Sequence, residues 1–142
     1  MWTGDVYKVA TVLETLRPDL TVVPLDTEPT GLVLVVGLDP TSTTLTDSYD
    51  AILAEHVYDD PQRVPDDVLH RRAAAEPERV LGHPIWAELV AARETGAGPS
   101  AATLASLAKL RGTADYKLDP PEPRPWPRPK KVPARGGFLR RK

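Results

Sequence analysis

The longest hydrophobic pattern lies in residues 20–38 and predicts a β-hairpin. Leu32–Val36 is a continuous apolar run, which is typical of a strand covered on both faces. Residues 20–25 supply the partner strand, and the turn-rich residues 26–31 connect the two. Pro24 cannot donate to a ladder, which predicts that the first strand is an edge strand. Because an isolated hairpin is marginally stable in water, two interpretations stay open. Helices of this chain cover the apolar run, or a neighbouring subunit extends the sheet through its exposed edge.

Apolar residues at helical spacing predict about five short helices around this hairpin, so the expected fold class is α+β and mostly helical. The helices are expected over residues 5–17, 46–59, 65–75, 84–96 and 100–112, with a short turn at 78–81. Proline and glycine set most of these limits, as Pro18 and Gly112 do. The residues predicted to face the core are Val6, Val9, Ala10, Leu13 and Leu16 in the first helix; Leu45, Tyr49, Ile52, Leu53 and Val57 in the second; Ile85, Trp86, Leu89 and Val90 in the fourth; and Leu104, Leu107, Ala108 and Leu110 in the fifth.

Charge divides the chain into two parts. Residues 1–116 hold 9 basic and 18 acidic residues, whereas residues 117–142 hold 9 basic and 2 acidic residues. We therefore expect an acidic globular body, residues 1–116, and a basic arm, residues 117–142. The alternating prolines of the arm favour an extended polyproline II conformation. The partner-binding residues predicted in the arm are Arg124, Trp126, Arg128, Lys130, Lys131, Arg135, Phe138, Leu139, Arg140 and Arg141.

An acid-rich stretch of the body is the predicted docking surface for this arm. Solubility alone explains an acidic surface, but the basic arm gives it a second interpretation. The arm of one subunit would lie on the acidic surface of another, with Arg groups on carboxylates and with Trp126, Phe138 and Leu139 as apolar anchors. The predicted acidic docking residues are Asp47, Asp50, Asp59, Asp60, Asp66 and Asp67.

Motifs for chemistry are weak, so we expect no enzyme, no cofactor and no metal. The chain has no cysteine, which excludes disulfides, thiolate metal sites and a cysteine nucleophile. His56, His70 and His83 are scattered; Glu55 and His56 with Asp59 and Asp60 lack the spacing of a zinc site. Ser48, Ser100 and Ser106 lack the setting of a nucleophile elbow.

Residues 96–101 match the letters of a dinucleotide-binding fingerprint, but a predicted helix precedes them where a strand is needed. Residues 84–111 also permit a helix-turn-helix. Its second helix carries cations only at Lys109 and Arg111, whereas recognition helices read bases from their N-terminal end. An ordinary helical hairpin with a linker at residues 96–101 is therefore predicted.

No apolar stretch reaches the length of a transmembrane helix, and the first residues lack a basic-then-apolar signal pattern. We expect no membrane partner, and a cytoplasmic or virion-associated protein that is not secreted by a signal peptide.

In size and in its last 26 residues the chain resembles the small structural proteins of tailed-phage virions, whose long basic arms staple neighbouring subunits. The resemblance is one of architecture, without a shared motif. It implies a non-enzymatic assembly protein whose partners are protein subunits, including further copies of itself. Two alternatives remain: a nucleic-acid-associated protein that binds phosphates through the arm, and an adaptor or cargo protein that docks through its C-terminal peptide.

Overall fold

The computed structural model describes residues 7–28, 30–58 and 64–115 of the 142-residue chain. In these ranges one antiparallel hairpin is surrounded by short helices, which confirms the predicted α+β, mostly helical class. In chain order the elements are α1 (Tyr7–Leu16), β1 (Thr21–Leu25), β2 (Leu32–Val36), α2 (Thr44–Asp47), α3 (Tyr49–His56), α4 (Asp66–Leu69), α5 (Pro77–Leu81), α6 (Ile85–Thr95) and α7 (Ala101–Ala108).

The hairpin has the predicted strands, and its register places Val23 opposite Leu34. Successive strand residues point to opposite faces, so the buried neighbours Val22 and Val23 show that both faces of β1 are covered. Helices α1 and α7 both contact β1. β2 differs, because its first residues Leu32 and Val33 are exposed. The helices therefore cover the first strand more completely than the second.

An extended segment closes the outer edge of β1. The amide of Ala75 donates to the carbonyl of Pro24 at 2.7 Å, and the amide of Asp26 donates to the carbonyl of Ala75 at 3.0 Å. Ala75 and Leu25 thus form a parallel bridge on the side of β1 that faces away from β2. The backbone nitrogen and carbonyl of Pro24 point away from β2, so its missing N–H removes no hydrogen bond from the ladder between the two strands.

The same segment also holds the end of the body. The amides of Gly112 and Ala114 donate to the carbonyls of Ala73 and Ala74 at 3.2 and 3.1 Å. The residues after α7 are thereby fixed to the segment that closes β1. An ion pair from Arg71 to Asp26 adds a side-chain contact between this segment and the residue after β1.

The core is the space between the hairpin, α5, α6 and α7. Its fully buried side chains come from distant parts of the sequence, and a half-buried apolar shell including Leu89 and Leu104 packs against them. The buried members of the cluster are Val23, Val36, Ala75, Val80, Ile85 and Leu107.

Two predicted helix limits were wrong. The helix expected over 65–75 ends at Leu69, because Arg71 has a φ of 49° and the chain then extends to reach β1. The helix expected from residue 46 is divided at Ser48 into α2 and α3. The short turn predicted at 78–81 is α5, which begins at Pro77.

Several residues predicted to face the core are exposed. In α1, Val12 is buried and Val9 is exposed. Helical spacing alone allows a face that contains Val9 or a face that contains Val12, and the packing of α1 on β1 selects the second. The largest error is at α3, where Tyr49, Leu53 and the following residue Val57 are all exposed. The other predicted core residues that are exposed are Trp86, Val90 and Ala108.

Some predictions fall outside the described residues. These are the arm with all of its partner-binding residues, the start of the first helix including Val6, and Asp59 and Asp60 of the acidic docking surface.

Leu107 provides a test of this core. It is fully buried between α7 and β1, so Leu107→Ala leaves a cavity and is expected to lower the free energy of unfolding by about 2–5 kcal/mol. Urea denaturation of the full chain measures the change. The matched control is Leu81→Ala in α5, whose side chain is exposed and whose replacement is expected to change stability by about 0.5 kcal/mol or less. Equal losses in the two variants would contradict the assigned core.

Candidate functional site

The outer edge of β2 is open within the described part of the chain. Pro24 and Val33 are directly opposite each other, and the carbonyl of Pro24 points away from β2 to reach Ala75. In an antiparallel pair of strands, two directly opposite residues either exchange both backbone N–H···O=C hydrogen bonds or exchange none. The N–H and C=O of Val33 therefore also point outward, as do those of Val35 two residues on. Neither residue's outward groups bond another described residue.

This edge has the properties of a strand that accepts a partner. Natural edge strands are usually protected by charged residues, proline, bulges or a covering loop. β2 contains only Leu and Val, and its ladder to β1 runs without a bulge. Leu32 is 63% exposed and Leu38, just past the strand, is 69% exposed. Backbone donors and acceptors thus lie beside apolar side chains that water still reaches.

Sequence reasoning named an exposed edge but assigned it to β1 on the basis of Pro24. The bridge to Ala75 closes that edge, so the open one belongs to β2. The signal that was present is the difference between the strands. β1 contains a proline, whereas every residue of β2 has a backbone N–H that can donate to a partner strand.

The predicted acidic docking residues within the described ranges lie in the first turns of short helices, and Asp47 is also the last residue of the four-residue α2. Asp47 lies in the first turn of α2 and Asp50 in that of α3, and these two helices contact each other. Asp66 and Asp67 begin α4. Asp47 also accepts a hydrogen bond from the hydroxyl of Thr43 at 2.7 Å. Stabilising a helix start is one role of these carboxylates, because the N-terminal end of a helix favours negative charge.

The loop between α6 and α7 is a helix connection of the kind predicted. Gly96 ends α6 with a φ of 71°, a left-handed conformation that favours glycine, and Ser100 caps α7 by accepting from the amide of Thr103. The carboxylate of Glu88 accepts from the amide of Ser100 at 2.7 Å and from the hydroxyl of Thr103. Glu88 therefore occupies the end of α7 that would have to approach a phosphate in either nucleotide- or DNA-binding interpretation.

Ser106 and His83 form a pair that sequence reasoning did not find. The Nε2 of His83 lies 2.9 Å from the Oγ of Ser106, and its Nδ1 accepts from the amide of Ile85 at 3.1 Å. In the neutral ring the proton is then on Nε2, which donates to Ser106. A histidine that takes the proton of a serine hydroxyl as general base needs the nitrogen facing that hydroxyl to be unprotonated. The hydroxyl of Ser106 in turn donates to the carbonyl of Thr103 within α7. The contact between His83 and Ser106 therefore links the start of α6 to α7.

The remaining polar features do not form a metal or ligand centre in the described ranges. No group of three or more His, Asp or Glu residues there is placed to hold a metal ion. An open depression of about 400 Å³ is lined partly by acids, but Asp26 pairs with Arg71 and Glu76 with Arg79. No described helix has the length and apolar character needed to cross a bilayer.

Comparison of the chain with protein-family models, with curated proteins and with solved structures finds no match. The resemblance to tailed-phage virion proteins therefore stays a prediction.

Glu88 gives a pH-dependent test of the α6–α7 connection. Hydrogen bonds from the Thr103 hydroxyl and then from the Ser100 amide hold the pKa of Glu88 below its usual range. A carboxyl with a lowered folded-state pKa stabilises the fold above its unfolded pKa and loses that effect as the pH falls through its folded pKa. Glu88→Gln is therefore expected to lower the thermal midpoint by a few degrees at neutral pH.

The difference from the unsubstituted chain should shrink as the pH falls below the ordinary glutamate range of about 4. Thermal unfolding followed by circular dichroism across this pH range measures it. Glu94→Gln, an exposed acid in the last turn of the same helix, is the matched control and should leave the pH dependence unchanged. A constant difference at all pH values for Glu88→Gln would contradict the ionic role of this carboxylate.

Proposed function

We propose that this protein is a non-enzymatic structural component of a larger protein assembly, and that copies of the chain associate through β2. The observation that carries the proposal is the open outer edge of β2 beside its exposed Leu and Val side chains. Strand addition at such an edge supplies main-chain hydrogen bonds and buries apolar surface together.

A second copy of the chain fits this edge by symmetry. Two β2 strands related by a twofold axis run antiparallel, and an axis at Leu34 places Val33 opposite Val35 of the second copy. These are the residues whose N–H and C=O groups point outward in each chain. All residues of both strands are paired in this register, and a four-stranded sheet replaces two marginal hairpins.

The uncharged strand also favours self-association. A strand that pairs with its own copy places like residues near each other, and like charges in that position would repel. β2 contains no charged residue, so this repulsion is absent. The basic arm is assigned the second contact of the assembly, in which it straps onto the acidic surface of a neighbouring subunit, as the resemblance to virion proteins implies.

Nucleic-acid association through the arm is the second candidate, and the excess of basic over acidic residues in residues 117–142 favours it. Lys and Arg that neutralise phosphates release counterions, so this candidate predicts binding that weakens steeply with salt. Light-scattering mass, recorded together with absorbance at 260 and 280 nm, distinguishes the two candidates.

Val33→Pro is the sharpest test of the β2 edge. Because the amide of Val33 points away from β1, a proline there removes an outward donor and keeps the ladder between the strands. The full chain is expected to have a light-scattering mass of at least two copies of 15.5 kDa, and Val33→Pro to return it to one copy. Absorbance at 260 and 280 nm, recorded on the same column, reports any bound nucleic acid.

Val33→Thr is the matched control, because threonine keeps the amide and the branched shape, and it should stay associated. Circular dichroism checks that both variants remain folded. A full chain that is monomeric at all concentrations would contradict association through β2. A monomer that carries nucleic acid and sheds it at high salt would replace this proposal with the second candidate.

A further inference from the structure

One face of α3 is apolar and exposed. Tyr49 and Leu53 are four residues apart, a spacing that keeps side chains on one side of a helix, and Val57 directly follows the end of α3; all three are exposed. Ile52 and His56, three and seven residues after Tyr49, lie beside the stripe on the same half of the helix and are half-buried. The end of α3 is tied to the body, because Lys8 of α1 donates to the carbonyl of His56 at 2.6 Å. The apolar face of α3 is thus packed along one flank, and Tyr49 and Leu53 are exposed along the other.

Acidic residues border this stripe. Asp50 follows Tyr49 in the first turn of α3, and Asp47 lies one turn earlier in α2. Residues 39–58 contain no Lys or Arg, so no cation from α2, α3 or the loop before them neutralises these carboxylates. Lys8 lies at the far end of α3, with its Nζ 4.9 Å from the centre of the Tyr58 ring. The surface therefore combines an apolar stripe with local negative charge.

The arm, residues 117–142, has the complementary chemistry. It carries 9 basic residues against 2 acidic ones, and in the sequence Trp126, Phe138 and Leu139 each stand within two residues of an Arg. Its 26 residues would span at most about 85–95 Å if fully extended, a reach that permits contact with a neighbouring subunit. Prolines recur from residue 120 to residue 133, so that part of the arm lacks the amides that strand addition at β2 requires and suits a spacer, while residues 134–142 carry the apolar side chains Phe138 and Leu139 together with cations.

We propose that the arm of one copy binds the stripe formed by Tyr49 and Leu53 on α3 and by Val57 just after it in a neighbouring copy, with Phe138 and Leu139 against the apolar side chains and Arg or Lys side chains of the arm beside Asp47 and Asp50. This inference rests on the proposed assembly function and names the surface that receives the strap. Apolar anchors supply the buried contact, and the charges orient the arm and speed association.

Disulfide trapping in the full chain tests the proposal directly, because the natural sequence contains no cysteine. A chain with Leu53→Cys is mixed with a ¹⁵N-labelled chain carrying Phe138→Cys, and linked peptides are measured by mass spectrometry after mild oxidation. The control mixture replaces Leu53→Cys with Val90→Cys, an exposed helical position on α6. We expect at least five-fold more linkage to residue 53 than to residue 90.

Charge reversal then tests the acidic border. Asp50→Arg in the Leu53→Cys chain should reduce linkage several-fold, and 0.5 M salt should reduce it in the parent chain, since surface charges are screened over a Debye length of about 4–5 Å there. Glu94→Arg, an acid on α6, is the matched control and should leave linkage unchanged.

Equal linkage to residues 53 and 90 in a chain that assembles would overturn this inference and leave association through β2 intact. A chain that carries both Leu53→Cys and Phe138→Cys tests for contact within one copy. Linkage in that chain, with none between the mixed single-cysteine chains, would overturn the strap between copies. A chain that never assembles by light scattering contradicts the proposed function itself, so the two failures are distinguishable.

Discussion

The pair of hydrogen bonds between Ala75 and β1 determines which side of this protein is closed. A two-stranded sheet has two edges, and the described body covers only one of them. Ala75 lies fully buried against the edge of β1, and the neighbouring Ala73 and Ala74 bind the residues that follow α7. The core and the end of the body thus collect on the β1 side. β2 is left as the outer strand, with its backbone directed away from the body.

The outward backbone groups of Val33 and Val35 bond no other described residue, and they lie beside exposed apolar side chains. The buried side chains need no such partner, because among the described residues no buried side-chain nitrogen or oxygen lacks a hydrogen bond. The stripe at α3 also places exposed apolar side chains beside polar groups, which there are the carboxylates of Asp47 and Asp50. Both surfaces lie on elements that α1 or β1 hold to the body.

The sequence was a good guide to local features and a poor one to long-range contacts. The two strands were predictable, because an apolar run of five residues and a turn-rich loop are local signals. The cap at Ser100 and the helix end at Gly96 were predictable for the same reason. The bridge from Ala75 was not, since alanine carries no strand signal and its partner is fifty residues earlier. Missing that bridge also lengthened α4 in the prediction and assigned the exposed edge to the wrong strand. The outward face of α3 could not be predicted either, because periodicity defines an apolar face without saying whether another element covers it.

Hydrogen exchange at individual amides of β2 tests the central claim most directly. In one strand, the amide of Leu34 points to β1 and those of Val33 and Val35 point outward, so each experiment contains its own reference. Exchange is started in dilute and in concentrated samples of the full chain, then quenched and read by NMR. If copies pair through β2, the amides of Val33 and Val35 become protected at high concentration while Leu34 is protected in both. Rapid exchange of Val33 and Val35 at every concentration, in a sample that light scattering shows to be associated, would contradict pairing through β2.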